Sequence, residues 1–184
     1  EQLRTEGYLR VPAPESGKPW AEGGFPTPSG RIEFASDQLE RLGQPSLPTF
    51  IPPREGPGQP LAEQYPLQLL TMKHHQRFLN SSYSPLPGHG PLEGMPFIEI
   101  HPDDAALRKI TEADMVRVYN DRAEVRVPAR LSTRVRPGVV MMPFGWWRTQ
   151  HGDDRSANSL TNDTLTDWGG GVAYADTLVE VAAG

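Results

Sequence analysis

Proline sets the first limit on this chain. Pro12, Pro14, Pro19, Pro26, Pro28, Pro45, Pro48, Pro52, Pro53, Pro57 and Pro60 lie so close together that neither a long helix nor a long strand fits between them. Each removes a backbone donor and fixes φ, so residues 1–62 read as an extended arm. Two local elements are expected inside it. Gly30-Arg31-Ile32-Glu33-Phe34 alternates as a short strand does, and Ser36 to Gly43 reads as a two-turn helix with a Ser N-cap, apolar Leu39 and Leu42, and a glycine stop.

From Tyr65 the pattern changes to short apolar runs separated by turns. Pro66 to Met72 and Pro96 to Ile100 are the first two strands expected, and Asp103 to Ile110, acidic at its start and basic at its end, suits a short helix. Asp114 to Tyr119 and Ala123 to Leu131 alternate apolar and polar residues on either side of Asn120-Asp121-Arg122, which predicts a hairpin. Val139 to Phe144 and Thr177 to Val181 complete the set. Many short strands with small helices predict a mainly β fold, a compact β-barrel over residues 63–184. Two connections are long for such a domain, His74 to Met95 and Gly145 to Tyr174, and loops of that length are usually functional or disordered.

The 20 Pro and 18 Gly among 184 residues, with 36% hydrophobic residues, fit this turn-rich picture. A net charge of −5 argues against a nucleic-acid binder that neutralises phosphates over a broad basic face. Without cysteine there is no disulfide, no thiolate-held zinc and no iron–sulfur cluster. That composition fits a reducing, cytoplasmic compartment. The longest apolar run, Val139 to Phe144, is far too short to cross a membrane as a helix. The chain opens on Glu1 with no basic and apolar leader, and is expected to be a piece of a longer protein.

The order of several motifs is more specific. Phe25-Pro26-Thr27-Pro28-Ser29-Gly30-Arg31-Ile32-Glu33-Phe34 is followed by Leu69-Leu70-Thr71-Met72-Lys73-His74-His75-Gln76-Arg77-Phe78-Leu79-Asn80-Ser81-Ser82, then by Glu99-Ile100-His101-Pro102-Asp103-Asp104-Ala105. Val135-Arg136-Pro137-Gly138-Val139-Val140 and Ala157-Asn158-Ser159-Leu160-Thr161 complete the series. Together they resemble the C-terminal part of molybdopterin oxidoreductases of the dimethyl sulfoxide reductase class, over nearly the whole chain. That class includes formate dehydrogenases, nitrate reductases and thiosulfate or polysulfide reductases. The resemblance implies a double-psi β-barrel that binds molybdopterin guanine dinucleotide, present as two copies holding molybdenum or tungsten in the full-length enzyme. It places the metal ligand and the iron–sulfur motif in preceding domains of the same polypeptide, so this chain alone is not expected to turn over substrate. Those domains, and an electron-transfer subunit, are the partners it implies.

A pterin dinucleotide presents a pyrophosphate, a ribose and two heterocycles with donor and acceptor edges, and its site needs backbone N–H groups, amides, hydroxyls and a cation. By position in the resemblance, Thr71, Lys73, His74, His75, Asn80 and Ser81 form one candidate group, with Lys73 as a phosphate-directed charge. Read from the residues alone, the same loop is an exposed polar connection. Adjacent histidines on an extended segment point to opposite sides and make a poor metal pair. Asn158 resembles the family residue that bonds a cofactor heterocycle, while an Asn outside a motif more often bonds its own backbone in a turn. Gly170 and Gly171 allow close backbone approach, though the triple glycine departs from the commoner family pattern.

Other conspicuous residues read as structural. Trp146 and Trp147 suit packing better than stacking, His151, Asp153 and Asp154 read as a solvated loop tip, and Asn120-Asp121-Arg122 is explained by the turn it makes. No catalytic or metal-binding residue is expected. Two readings of other classes remain open: a stand-alone barrel that recognises a partner without a redox cofactor, and a small Ser/His/Asp hydrolase. The second lacks the Gly-x-Ser-x-Gly context of a nucleophile elbow.

Overall fold

Period-two alternation in the second part of the chain becomes a closed six-stranded barrel. The computed structural model describes residues 1–9, 16–21, 23–73, 82–84, 86–152, 154–166 and 169–184. Its strands are β1 (Leu67–Met72), β2 (Ile98–Ile100), β3 (Met115–Tyr119), β4 (Glu124–Leu131), β5 (Val139–Pro143) and β6 (Leu178–Ala183), and they close in the order β1-β5-β2-β4-β3-β6. Two pairs are parallel, β1 with β5 and β2 with β4, and the other four are antiparallel. Closure in this interleaved order is the double-psi arrangement, and it leaves no open edge.

The interior is filled from alternate positions of each strand: Leu67 and Leu69, Val116 and Val118, Val125, Val127 and Ala129, Val140 and Met142, Val179 and Val181, all at most 2% exposed. Burial of this apolar surface, at roughly 25 cal/mol per Å², is the main term favouring the barrel. Proline inside β4 is tolerated for a positional reason. Pro128 is the last residue of β4 paired with β3, opposite Met115, and the pairing with β2 begins at Ala129 opposite Ile98. A missing N–H therefore falls where the strand passes from one neighbour to the other.

The chain divides into two compact units, Glu1–Ile51 and Pro52–Gly184. The first holds helices α1 (Gln2–Glu6) and α2 (Asp37–Arg41), and the Ser36 side chain caps α2 by accepting from the Leu39 N–H. Gly30–Phe34 is not a strand, contrary to the expectation from its alternation. Its groups are taken locally, with Phe25 N–H donating to Gly30 O, Thr27 Oγ1 to Arg31 O, and Ser29 N–H to the Glu33 carboxylate. Ile32 and Phe34 are left exposed.

Residues 52–62, grouped with the arm by composition, fall within the barrel unit. Glu55 pairs with Arg122, and just beyond the segment Tyr65 is buried with its hydroxyl donating to Asp121 at 2.6 Å. Helices α3 (Gly90–Glu93) and α4 (Pro102–Leu107) lie between strands, and α4 ends earlier than the Ile110 boundary read from sequence.

Candidate functional site

Parallel pairing brings the ends of β1 and β5 together. Met72 lies opposite Pro143, and the Phe144 N–H donates to Met72 O at 2.9 Å. Both long loops therefore leave the barrel from neighbouring points at one end, the one after Met72 and the other after Pro143. Gln150 joins them further out: its Oε1 accepts from the Trp147 N–H at 2.7 Å and its Nε2 donates to Ser84 O at 2.9 Å.

The second loop, from Pro143 to Asn158, lines a cavity of about 430 Å³. Pro143, Gly145, Trp146 and Trp147 form one side, and Arg148, His151, Ser156 and Asn158 supply its polar groups. The expectation for the two tryptophans divides. Trp146 is buried and packs, whereas Trp147 is half exposed, and both line the cavity. His151 overturns the reading of a solvated loop tip, since it is buried at 8% exposure and lines the cavity. Asp154 does lie at the surface, where its carboxylate pairs with Arg148 at 2.7 Å.

Asn158 owes its orientation to a single 3-10 turn, Ala157–Ser159. In a 3-10 helix residues i and i+3 share one side. Ala157 and Leu160 both enter the barrel core, at 4% and 0% exposure, so the residue after Ala157 is turned outward. Its amide offers both a donor and an acceptor at the cavity. Leu160 O is held in turn by Asn120 Nδ2 and Arg122 Nε, each at 2.9 Å. Asn120 thus does more than form its turn, contrary to the expectation from sequence that the turn explains it.

Among the described residues, the other site residues read from sequence do not join this cavity. Thr71 sits in β1 opposite Met142. Lys73 lines a second cavity of about 350 Å³ on the other side of Pro143, with Arg130, Arg134, Glu93 and Glu99. The Arg130 guanidinium lies over the Phe97 ring there, 3.4 Å from its centre. Gly171 belongs to a small hairpin: Thr166 N–H donates to Gly171 O at 2.7 Å and Gly171 N–H to Thr166 Oγ1 at 3.1 Å. Gly170 has φ +60°, a conformation that favours glycine. Neither lines the Asn158 cavity. His74, His75, Asn80 and Ser81, like Asp153, lie outside the described residues.

Sequence reasoning missed Arg148 and His151 as cavity residues. A single His in a charged, glycine-bearing loop carries no periodic signal of burial, and only the span between Trp146 and Ala157 hints that this loop is pinned at both ends.

Comparison with known proteins bears on the family and the fold. The family described as "Molydopterin dinucleotide binding domain" matches residues 67–178, from the first residue of β1 to the first of β6. A probable oxidoreductase of Bacillus subtilis, YoaE, is 34% identical over 164 residues, covering 89% of this chain and 23% of that protein. The dimethyl sulfoxide reductase DmsA of Haemophilus influenzae is 33% identical over 172 residues, covering 84% of this chain and 21% of that protein. This chain thus spans less than a quarter of the length of these relatives. Among solved structures, acetylene hydratase from Pelobacter acetylenicus superposes with a TM-score of 0.76 at 20% identity, covering 89% of this chain and 25% of that one, which shows a shared fold.

Proposed function

We infer the role of the chain from a premise now established, that it belongs to the molybdopterin dinucleotide-binding domain family, and we propose that its grip on the cofactor centres on the cavity that the second loop forms as it leaves β5. One observation carries this reading: where the second loop leaves β5, beside the end of β1, it folds around a cavity lined by Asn158, Trp147 and Arg148. Those groups fit a dinucleotide chemically. An amide can bond the edge of a heterocycle, an indole face can stack on one, and a guanidinium suits a phosphate.

The guanine form of the dinucleotide is part of the proposal. Guanine offers an N–H donor edge next to a carbonyl acceptor, which a single carboxamide such as that of Asn158 can meet with two bonds. Thr71 and Lys73 at the root of the first loop, with His74, His75, Asn80 and Ser81 after them, would extend the grip, and Gly170 and Gly171 would add backbone contacts. When bound, the pterin dinucleotide supplies the sulfur ligands of a molybdenum or tungsten ion. This chain's own residues bind and orient it.

We place the chain within a larger molybdenum-dependent oxidoreductase, in view of the much longer relatives and their names. The name of the Haemophilus relative favours sulfoxide reduction over formate oxidation as the parent's chemistry. The exposed Ile32, Phe34, Leu47 and Phe50 of the first unit would pack on further domains of that polypeptide, and an electron-transfer subunit would complete the assembly.

Calorimetric titration of the full chain with guanosine diphosphate, adenosine diphosphate and inorganic pyrophosphate tests the grip. Guanosine diphosphate is expected to bind more tightly than the other two, and Asn158→Ala to weaken it about tenfold by removing two hydrogen bonds, without shifting the melting temperature. Equal affinity for all three, unaltered by Asn158→Ala, would remove the guanine assignment and the residue together.

A further inference from the structure

We propose that Arg122 is a positioning residue that fixes the Asn158 turn from outside the cavity, through a node that also contains Glu55, Asn120 and Leu178. The proposal rests on the cavity being the cofactor grip, and it adds how the grip is held in register.

The node is built of directed bonds. The Arg122 fork meets the Glu55 carboxylate twice, Nη1 to Oε1 at 2.6 Å and Nη2 to Oε2 at 2.9 Å, and its Nε–H donates to Leu160 O at 2.9 Å. Glu55 Oε2 also accepts from the Leu178 N–H at 3.1 Å. Asn120 Nδ2 spans the carbonyls of Leu160 and Leu178, while its Oδ1 accepts from the Arg122 N–H at 3.0 Å. Four stretches of chain meet here: the segment before β1, the β3–β4 turn, the residue after the 157–159 turn, and the start of β6.

Leu160 O is a telling place for two donors. It lies where the 3-10 turn ends, and a cation there also suits the negative end of the turn's dipole. Burial of Ala157 and Leu160 sets which side of the turn faces the core, but apolar contacts alone leave a residual rotation about the turn axis. Two donors on its carbonyl fix that rotation, and with it the direction of Asn158 two residues earlier. Arg122 itself touches no part of the cavity, so its effect on binding is transmitted through the backbone.

Lysine at this position keeps the charge but cannot make a fork and a third directed bond at once. In the full chain, Arg122→Lys is expected to raise the dissociation constant for guanosine diphosphate about tenfold, the scale of one lost charge-assisted bond. It should also speed hydrogen exchange at the Ser159 and Leu160 amides, while the β1 and β5 amides keep their protection. Arg122 is partly exposed, so the variant folds; Glu55→Gln, which weakens the fork without touching Leu160 O, should give a smaller change of the same sign. Unaltered exchange at Ser159 and Leu160 in Arg122→Lys overturns the proposal, and so does an equal loss of protection in the barrel strands, which marks general destabilisation. If the wild-type chain binds no guanosine diphosphate, the cofactor-grip reading fails, and the exchange pattern alone still decides whether Arg122 sets the turn.

Discussion

Replacing Asn120 separates a turn residue from a tether. A turn-forming Asn that faces water loses little on truncation, but this side chain is only 9% exposed and its Nδ2 donates at 2.9 Å to Leu160 O and at 3.0 Å to Leu178 O. Leu160 O keeps the Arg122 Nε–H, so its loss is partial; Leu178 O loses this donor outright. At ~1 kcal/mol for each bond, with a further ~1 kcal/mol for a buried carbonyl left short of a partner, Asn120→Ala should cost about 3 kcal/mol. With a urea m-value of ~2 kcal/mol/M for a domain of this size, the midpoint should fall by about 1.5 M. Asn120→Asp should be worse at neutral pH, because the introduced carboxylate aims negative charge at two carbonyl oxygens. Its folded-state pKa is then raised, so the added penalty is absent in acid and grows as pH rises from about 4. Urea melts of both variants at pH 4 and pH 7 decide the matter. If Asn120→Ala costs under about 1 kcal/mol, or Asn120→Asp is no worse than Asn120→Ala at pH 7, then Asn120 only makes its turn and the tether argument fails.

Two further outcomes are expected. The Thr111 N–H, at 2.7 Å, and its hydroxyl, at 2.9 Å, hold the Asp114 carboxyl below the usual carboxylate range. A lowered folded-state pKa means stability that is present at neutral pH and lost as pH falls through that value, so the acid limb of a urea-midpoint profile should flatten in Asp114→Asn, and a profile that stays the same would contradict this. In the glycine hairpin, Gly170→Ala should cost ~1 kcal/mol because of its φ of +60°, while Gly171→Ala, whose Cβ would meet only Thr166 Oγ1 at 3.7 Å, should melt like the wild type; a drop in nucleotide affinity for Gly171→Ala would then report a ligand contact there.

The strands were legible in the sequence because each carries its own alternation, and each of the six forms within a residue or two of its expected place. Ser36 was legible for a similar reason, since a cap bond spans three residues. Gly30–Phe34 alternates equally well, yet alternation does not say whether a neighbour exists to pair with, and here the nearby Phe25, Thr27 and Ser29 take its polar groups. The same limit hid the second half of Asn120's role: its turn bonds reach two and three residues along the chain, but its tether bonds reach 40 and 58. Asn158 was found through the motif around it. The buried Ala157 and Leu160 that aim it are ordinary apolar residues whose spacing gains meaning only once the turn is known to be 3-10. Gln150 meets Ser84 O 66 positions away, a bond that no local pattern announces.

The parallel pairing of β1 with β5 also bears on how the molecule is made. Both neighbours of β1 come later in the chain, β5 from Val139 and β6 from Leu178. On a ribosome the β3–β4 hairpin, whose turn is local, can form as soon as it emerges, whereas β1 waits as a bare strand until the polypeptide has been extended past Pro143. Its alternate face carries Leu67 and Leu69, so the waiting strand offers nascent chains a sticky edge. Closure by β6 comes last and shuts the barrel in one step, which makes synthesis, rather than the finished fold, the stage at which this protein is most open to misassembly.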